Sequence, residues 1–190
     1  MKRKAVFVID MQNDFIDGSL GSEYAQAIVP NVKAAIEYYK QDGATLIFTM
    51  DTHNKDYRNT HEGKLLPIDH CIEKTDGWKL NDIVMSSVGN YGNKRTYLKT
   101  NFAYNWFNVL SFNFLRAKTY DQVVIFGLCT DICVISNALI IRAALPDAEI
   151  ICISDCCAGT TPEKHAAALE VMESCQIEVK TLKEVVEKEE

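Results

Sequence analysis

From its N-terminus the chain opens on an unbroken apolar run, Lys4 to Ile9, that ends in Asp10. This is the pattern of a strand buried on both faces with a carboxylate at its C-terminal end. Ala44 to Met50 repeats the pattern and runs into Asp51-Thr52-His53, and Gln122 to Phe126 and Glu149 to Ile153 are two further runs of the same kind. Shorter strands are predicted at Thr96 to Lys99 and Gln176 to Lys180. Between the strands the apolar spacing becomes helical. Glu23 to Lys40 places Ala27, Ile28, Val32, Ala35, Ile36 and Tyr39 on one face, with Pro30 starting the main segment at a first turn. Asn105 to Lys118 carries Trp106, Val109, Leu110, Phe112, Phe114 and Leu115, and Asp131 to Ala144 follows the third long strand. Thr161 caps a helix from Glu163 to Ser174 with Pro162 at its first position, and Thr181 caps a terminal one to Glu190. From Asn54 to Asn93 the pattern dissolves into polar, irregular sequence, a length that inside a compact domain predicts a functional loop.

Strands alternating with helices predict a three-layer α/β/α fold around a doubly wound, mostly parallel sheet, as a single domain over residues 1–190. At 190 residues the chain is long enough to bury a sizeable core without disulfides or metal for stability. In open sheets of this kind ligands bind outside the C-terminal ends of the strands. Three of the predicted ends carry chemistry: Asp10, the pair Asp51 and His53, and the stretch Gly127-Leu128-Cys129-Thr130-Asp131-Ile132-Cys133.

Composition narrows the partners. The net charge of −6 argues against a nucleic-acid footprint, and no apolar run approaches the roughly 20 residues that span a bilayer. Met1-Lys2-Arg3-Lys4 has the charge of a signal-peptide start, but the apolar run after it is cut by Asp10 and no small-residue cleavage site follows. Seven cysteines, an odd number without regular spacing, fit a reducing compartment, so a cytoplasmic location is expected. The expected partner is a small molecule, with no nucleic acid and no membrane.

After Gly127 the chain turns from strand to helix, with Thr130 or Asp131 as the expected N-cap, which places Cys133 in the first helical turn. There the partial positive charge of a helix N-terminus favours thiolate, and backbone N–H groups can hold an oxyanion. A buried acid such as Asp10 can take the thiol proton, and an ammonium such as Lys99, just before an aromatic segment, stabilises both anions. A second cluster, Asp51 and His53 with His61, Glu62, His70 and Cys71, has the donor types of a Zn, Mn or Fe site with open positions. Alternate residues in Asp51-Thr52-His53 put both ligand side chains on one side of a strand. His165 and the Cys156-Cys157 pair read as structural, His165 on the outer face of its helix.

Val8-Ile9-Asp10-Met11-Gln12-Asn13-Asp14-Phe15, Asp51-Thr52-His53, Pro67-Ile68-Asp69-His70-Cys71, Lys99 and Gly127 to Val134 together resemble the isochorismatase-like cysteine hydrolases, and most of all their nicotinamidase/pyrazinamidase branch. The resemblance runs from about Val6 to Val179. It implies a catalytic triad of Asp10, Lys99 and Cys133, a cis peptide between Leu128 and Cys129, and an oxyanion hole from the N–H groups of Cys129 and Cys133. It implies a divalent metal, zinc with manganese or iron as alternatives, on Asp51, His53 and His70, with Glu62 or its rival His61 as fourth ligand. Phe15 matches an aromatic that packs on the substrate ring, and Trp78 is the candidate for the opposite wall. The activity implied is hydrolysis of nicotinamide or a similar small aromatic amide through a thioester. Alternatives are a family hydrolase acting on a carbamoyl amide or an isochorismate-type vinyl ether, and a non-catalytic binding protein that keeps the fold. Homo-oligomers are common among the proteins it resembles. Two segments depart from the family pattern: Lys74 stands where a glycine is frequent, and Phe102-Ala103-Tyr104 replaces a Tyr-Ser-Ala-Phe-like run.

Overall fold

The structure, a computed structural model, describes residues 2–111 and 120–189. Its centre is a six-stranded sheet in the order β3-β2-β1-β4-β5-β6, formed by β1 (Lys4–Ile9), β2 (Thr45–Asp51), β3 (Lys94–Lys99), β4 (Gln122–Leu128), β5 (Glu149–Ala158) and β6 (Glu178–Lys180). Every pairing is parallel. The central strands are buried from end to end, as expected of a sheet covered on both faces, whereas β3 is an edge strand whose first three residues are exposed. The right-handed crossovers of parallel units place the helix between β1 and β2 and the helix between β4 and β5 on opposite faces. The first of these, Val29–Gln41, packs against Asp82–Val88, and the second, Ile135–Ala144, against Pro162–Ser174.

Several boundaries differ from the sequence reading. Pro30 does divide the first helical stretch, into Glu23–Ala27 and Val29–Gln41. The stretch from Asn54 to Asn93 is not structureless: it holds a 3₁₀ turn, Tyr57–Asn59, and two short helices, His61–Leu65 and Asp82–Val88. The two helices are five and seven residues long, too short to show an apolar period, but each has a side-chain cap, Thr60 and Asn81 accepting N–H groups of the first turn. The helix expected over Asn105 to Lys118 begins as a π-helical segment, Phe107–Ser111, and its part from 112 on lies outside the described residues. β5 continues past Ile153 to Ala158, carrying a bulge opposite Ile125 and Gly127. Lys74 has φ +70°, the left-handed conformation that glycine adopts at least cost.

Candidate active site

Strand order assembles the site. The C-terminal ends of β3, β2, β1 and β4 lie side by side, so Lys99, Asp51, Asp10 and Cys129 sit in that sequence along one rim of the sheet. Asp51 is paired in register with Lys99, and Ile9 with Gly127. Gly127 has φ +130°, and a Cβ there would stand 2.1 Å from the carbonyl oxygen of Ile9. Only glycine lets β4 approach β1 this closely beneath Asp10. Asp10 itself has φ +47°, and it is pinned by Thr49: its N–H donates to Thr49 Oγ1 at 3.1 Å and its Oδ1 accepts the Thr49 hydroxyl at 2.7 Å.

One cation ties the rim together. Lys99 Nζ lies 2.7 Å from Asp10 Oδ2 and 3.3 Å from Asp51 Oδ1, and donates to Cys133 Sγ at 3.5 Å, all four residues being buried. Burial opposes the Lys99 charge, but Asp10, Cys133 and Asp51 outweigh it and hold the ammonium protonated. Burial pushes the Asp10 carboxyl up, with Asp51 adding to the shift and Lys99 opposing it. Burial also pushes the Cys133 thiol well up against the pull of Lys99, and a hydrogen bond to Asp10 adds to that. Burial and the Asp10 hydrogen bond thus favour Cys133 as a thiol, against the thiolate that a helix terminus alone would favour.

The turn that carries Cys133 also differs from expectation. Thr130–Val134 is a π-helical turn ahead of the regular helix, and its N-cap position falls to Cys129, which makes no side-chain cap bond. Thr130 and Asp131 are engaged elsewhere. Thr130 Oγ1 is 2.7 Å from His165 Nδ1, and the Asp131 carboxylate accepts both the N–H and the hydroxyl of Thr160, at 2.8 and 2.6 Å. These bonds fasten the turn to the loop after β5 and to the helix Pro162–Ser174 that follows it, whose His165, half-buried, meets the turn instead of lying on the outer face. The Leu128–Cys129 peptide is cis. The Cys129 carbonyl accepts from Ile132 and Val134, at 3.1 and 3.0 Å.

Beside this cluster Asp51, His53, Glu62 and His70 offer two imidazole nitrogens and two carboxylate oxygens, all within 4.8 Å of one another. His53 Nε2 lies 3.0 Å from Asp51 Oδ2, and His70 Nε2 lies 3.6 Å from the same oxygen. Glu62 Oε1 is 3.8 Å from His53 and 3.9 Å from His70. His70 Nδ1 donates to the carbonyl of Ile68 at 2.9 Å, which orients the ring with Nε2 facing the group. Burial alone would raise the Asp51 carboxyl, but hydrogen bonds to His53 and His70 and the charge of Lys99 hold it below the usual range. Two imidazoles and two carboxylates converging at this spacing fit a divalent cation such as zinc, manganese or iron. His61, the rival fourth ligand, is exposed and outside the group.

A cavity of about 380 Å³ opens onto these residues, lined by Cys133, Cys129, Asp51, Glu62 and His70 and by a largely apolar wall that includes Phe15 and Phe102. Phe15 stands 5.7 Å from the His70 ring. Trp78 does not line the cavity. Its indole donates to Thr52 Oγ1 at 2.9 Å, and Thr52 is the residue between Asp51 and His53, so in an extended strand its side chain points away from theirs. Phe102 is a second aromatic residue, besides Phe15, that lines the cavity. Sequence reasoning also passed over Gln12, fully buried, whose side chain donates to the Asp51 carbonyl at 2.9 Å and accepts the Asp51 N–H at 2.7 Å. Its sequence signals are a glutamine three residues past a buried strand and its place in the stretch Val8 to Phe15.

Comparison with known proteins follows this geometry. The family model of the isochorismatase domain matches residues 4–184. Over 190 residues, 96% of this chain and 94% of the relative, the sequence is 29% identical to an Arabidopsis thaliana protein described as a probable inactive nicotinamidase. It is 26% identical to the nicotinamidase/pyrazinamidase of Mycobacterium tuberculosis, covering 93% of this chain and 97% of that one. The crystal structure of Pyrococcus horikoshii pyrazinamidase in complex with zinc superposes with a TM-score of 0.74 at 25% identity, over 95% of this chain and 99% of that one. Among the described residues no helix is long and apolar enough to cross a membrane.

Proposed function

The chain belongs to the isochorismatase family, and from that premise we propose that it is a metal-supported cysteine amidohydrolase, converting nicotinamide or a similar small aromatic amide to the acid and ammonia. The observation that carries this reading is a buried lysine shared by Asp10, Asp51 and Cys133, of which Asp51 and Cys133 line a mostly apolar cavity. Cys133 Sγ attacks the amide carbonyl carbon while the thiol proton passes to Asp10. The oxyanion is held by the N–H groups of Cys129 and Cys133. Asp10 returns that proton to the amide nitrogen, the C–N bond breaks, and ammonia leaves a thioester on Cys133. Asp10 then takes a proton from water as the water attacks, and the acid departs with the thiol restored. Lys99 keeps Asp10 in place and its charge balanced throughout.

Asp51, His53, Glu62 and His70 would hold a divalent cation, whose chemistry is to bind a ring nitrogen and so orient the amide. Zinc is supported by the zinc complex of the similar pyrazinamidase. Phe15 packs against the ring. The expected result is ammonia release from nicotinamide by protein supplied in turn with zinc, manganese and iron, with metal content measured on the same samples. No release with any of them would overturn the substrate, and release from a carbamoyl amide instead would assign the other branch of the family. The assay also decides whether the description of the Arabidopsis relative as inactive extends to this chain.

A pH dependence follows from the geometry. Asp10 accepts a proton only as a carboxylate, and burial raises its pKa above the ordinary aspartate value of about 4. Activity therefore rises with pH as Asp10 ionises, and the acid limb of kcat/KM is expected above that of an exposed aspartate. A limb at or below about pH 4 would place the base elsewhere.

A further inference from the structure

Asn137 is fully buried in the helix that follows the nucleophile turn, four residues and so one turn beyond Cys133. Its amide makes four hydrogen bonds, the full capacity of the group. Nδ2 donates to the carbonyl of Cys133 at 2.7 Å and to the carbonyl of Phe102 at 3.2 Å. Oδ1 accepts the N–H of Tyr104 at 3.1 Å and the indole N–H of Trp106 at 2.6 Å. The partners fix the amide's orientation, since a flipped group would face two donors with its NH₂ and two carbonyls with its oxygen. Three of the four bonds hold alternate residues of one segment. Its inner end is anchored by Trp106, fully buried and in edge contact with Phe7 at 4.9 Å, and its outer end is Phe102, half exposed on the cavity wall. The fourth bond holds the backbone of the reacting residue.

We propose that Asn137 is a specificity-determining positioning residue, fixing the aromatic wall Phe102 at a set distance from Cys133 so that flat aromatic acyl groups are favoured at the thiol. The proposal rests on Cys133 as the reactive thiol but not on nicotinamide as substrate. Without the amide, Phe102 loses its register against the nucleophile although both residues remain. An isosteric aspartate keeps the acceptors for Tyr104 and Trp106 but replaces both donors, and it sets an oxygen against the carbonyls of Cys133 and Phe102.

The test compares alkylation of Cys133 by iodoacetamide and by N-phenyl-iodoacetamide, in which the S–C bond forms and iodide leaves, with the modified residue located by peptide mapping. In Asn137→Asp the phenyl-to-small rate ratio is expected to fall about fivefold, the loss of one ordered aromatic contact. Any change in the intrinsic reactivity of Cys133 affects both reagents and cancels from the ratio, and Phe102→Ala should lower the ratio in the same direction. In the double variant the ratio should fall no further than in the single ones, because both changes remove one coupled interaction. An unchanged ratio in Asn137→Asp, an unchanged ratio in Phe102→Ala, or a double variant showing the product of the two single effects would each overturn the proposal. If Asn137→Asp does not fold by circular dichroism, Asn137→Ala takes its place, since it removes all four bonds, those to Phe102 and Cys133 included, without adding a charge. The same fall in ratio is then expected, and its absence overturns the proposal. Because alkylation needs no turnover, a protein that releases no ammonia from nicotinamide but shows these ratios loses the substrate assignment and keeps this one.

Discussion

Cys133→Ala is expected to lower kcat/KM for nicotinamide by about 10⁴-fold or more while leaving the protein folded. The size of the effect follows from the role assigned to the thiol. With no sulfur there is no thioester, and the oxyanion donors and binding residues that remain supply only a small residual rate. The fold survives because the substitution removes one buried atom from a residue that already faces a cavity, at a cost of about 1 kcal/mol. Lys99 also keeps both of its carboxylate partners. For a chain of this length that cost lowers the melting temperature by about 2–4 °C. The measurements are ammonia release and a thermal melt on the same preparation. Ammonia release undiminished in the variant would overturn the cysteine mechanism. Turnover of a vinyl ether that survives the substitution would assign the protein to the isochorismate-type reaction, which needs no sulfur nucleophile.

The parts of the site that were legible in the sequence are those where a strand ends. Asp10, Asp51 and His53 each follow an apolar run, and parallel strands bring such ends to one rim whatever their order. That the Lys99 ammonium reaches both Asp10 and Asp51 was not legible from pattern, because it depends on β2 lying between β1 and β3 and on the register that pairs Asp51 with Lys99. The resemblance to the family implied Lys99 beside Asp10 and Cys133, and the contact with Asp51 came only with the topology. Other features depend on single side chains crossing between elements, which periodicity does not record. Thr130 and Asp131 are good capping residues by type, but the capping bond lost to stronger partners, His165 and Thr160, brought close by β5. Trp78 was a candidate for the cavity wall by resemblance, while its position was decided by the alternation of Asp51, Thr52 and His53. Asn137 lies within an apolar helix, where an amide with four buried partners looks in the sequence like any polar residue. The short helices between Asn54 and Asn93 were missed because a single turn contains no repeat, although their caps, Thr60 and Asn81, were visible signals.

Lys99→Met is expected to cost both stability and activity, and the two losses have one cause. The ammonium is buried between Asp10 and Asp51, and methionine fills its volume without its charge. Removing one partner of a buried ionic cluster leaves the others uncompensated, at about 3–5 kcal/mol, which for this length lowers the melting temperature by roughly 6–20 °C. Asp51 keeps its bonds to His53 and His70, so the penalty falls chiefly on Asp10. The cheapest response is for Asp10 to hold a proton at neutral pH. A neutral Asp10 cannot accept the thiol proton, and kcat/KM should fall by at least about 10²-fold, the usual worth of a positioned base. The sign of the pH dependence follows. An acid whose pKa is higher in the folded state than in the unfolded one binds more protons when folded, so stability is gained as pH falls through that window and lost as it rises. Burial already raises Asp10 against the opposing charge of Lys99, and removing that charge raises it further. The deficit of Lys99→Met relative to the native protein is therefore expected to be smaller at pH 5 than at pH 7. Adding Asp10→Asn to Lys99→Met removes the unpaired carboxylate and should restore most of the melting temperature without restoring any turnover. A single variant as stable as the native chain at pH 7, or a deficit that widens on acidification, would show that the ammonium does not hold the rim together; ammonia release from the double variant would show that neither residue handles the proton.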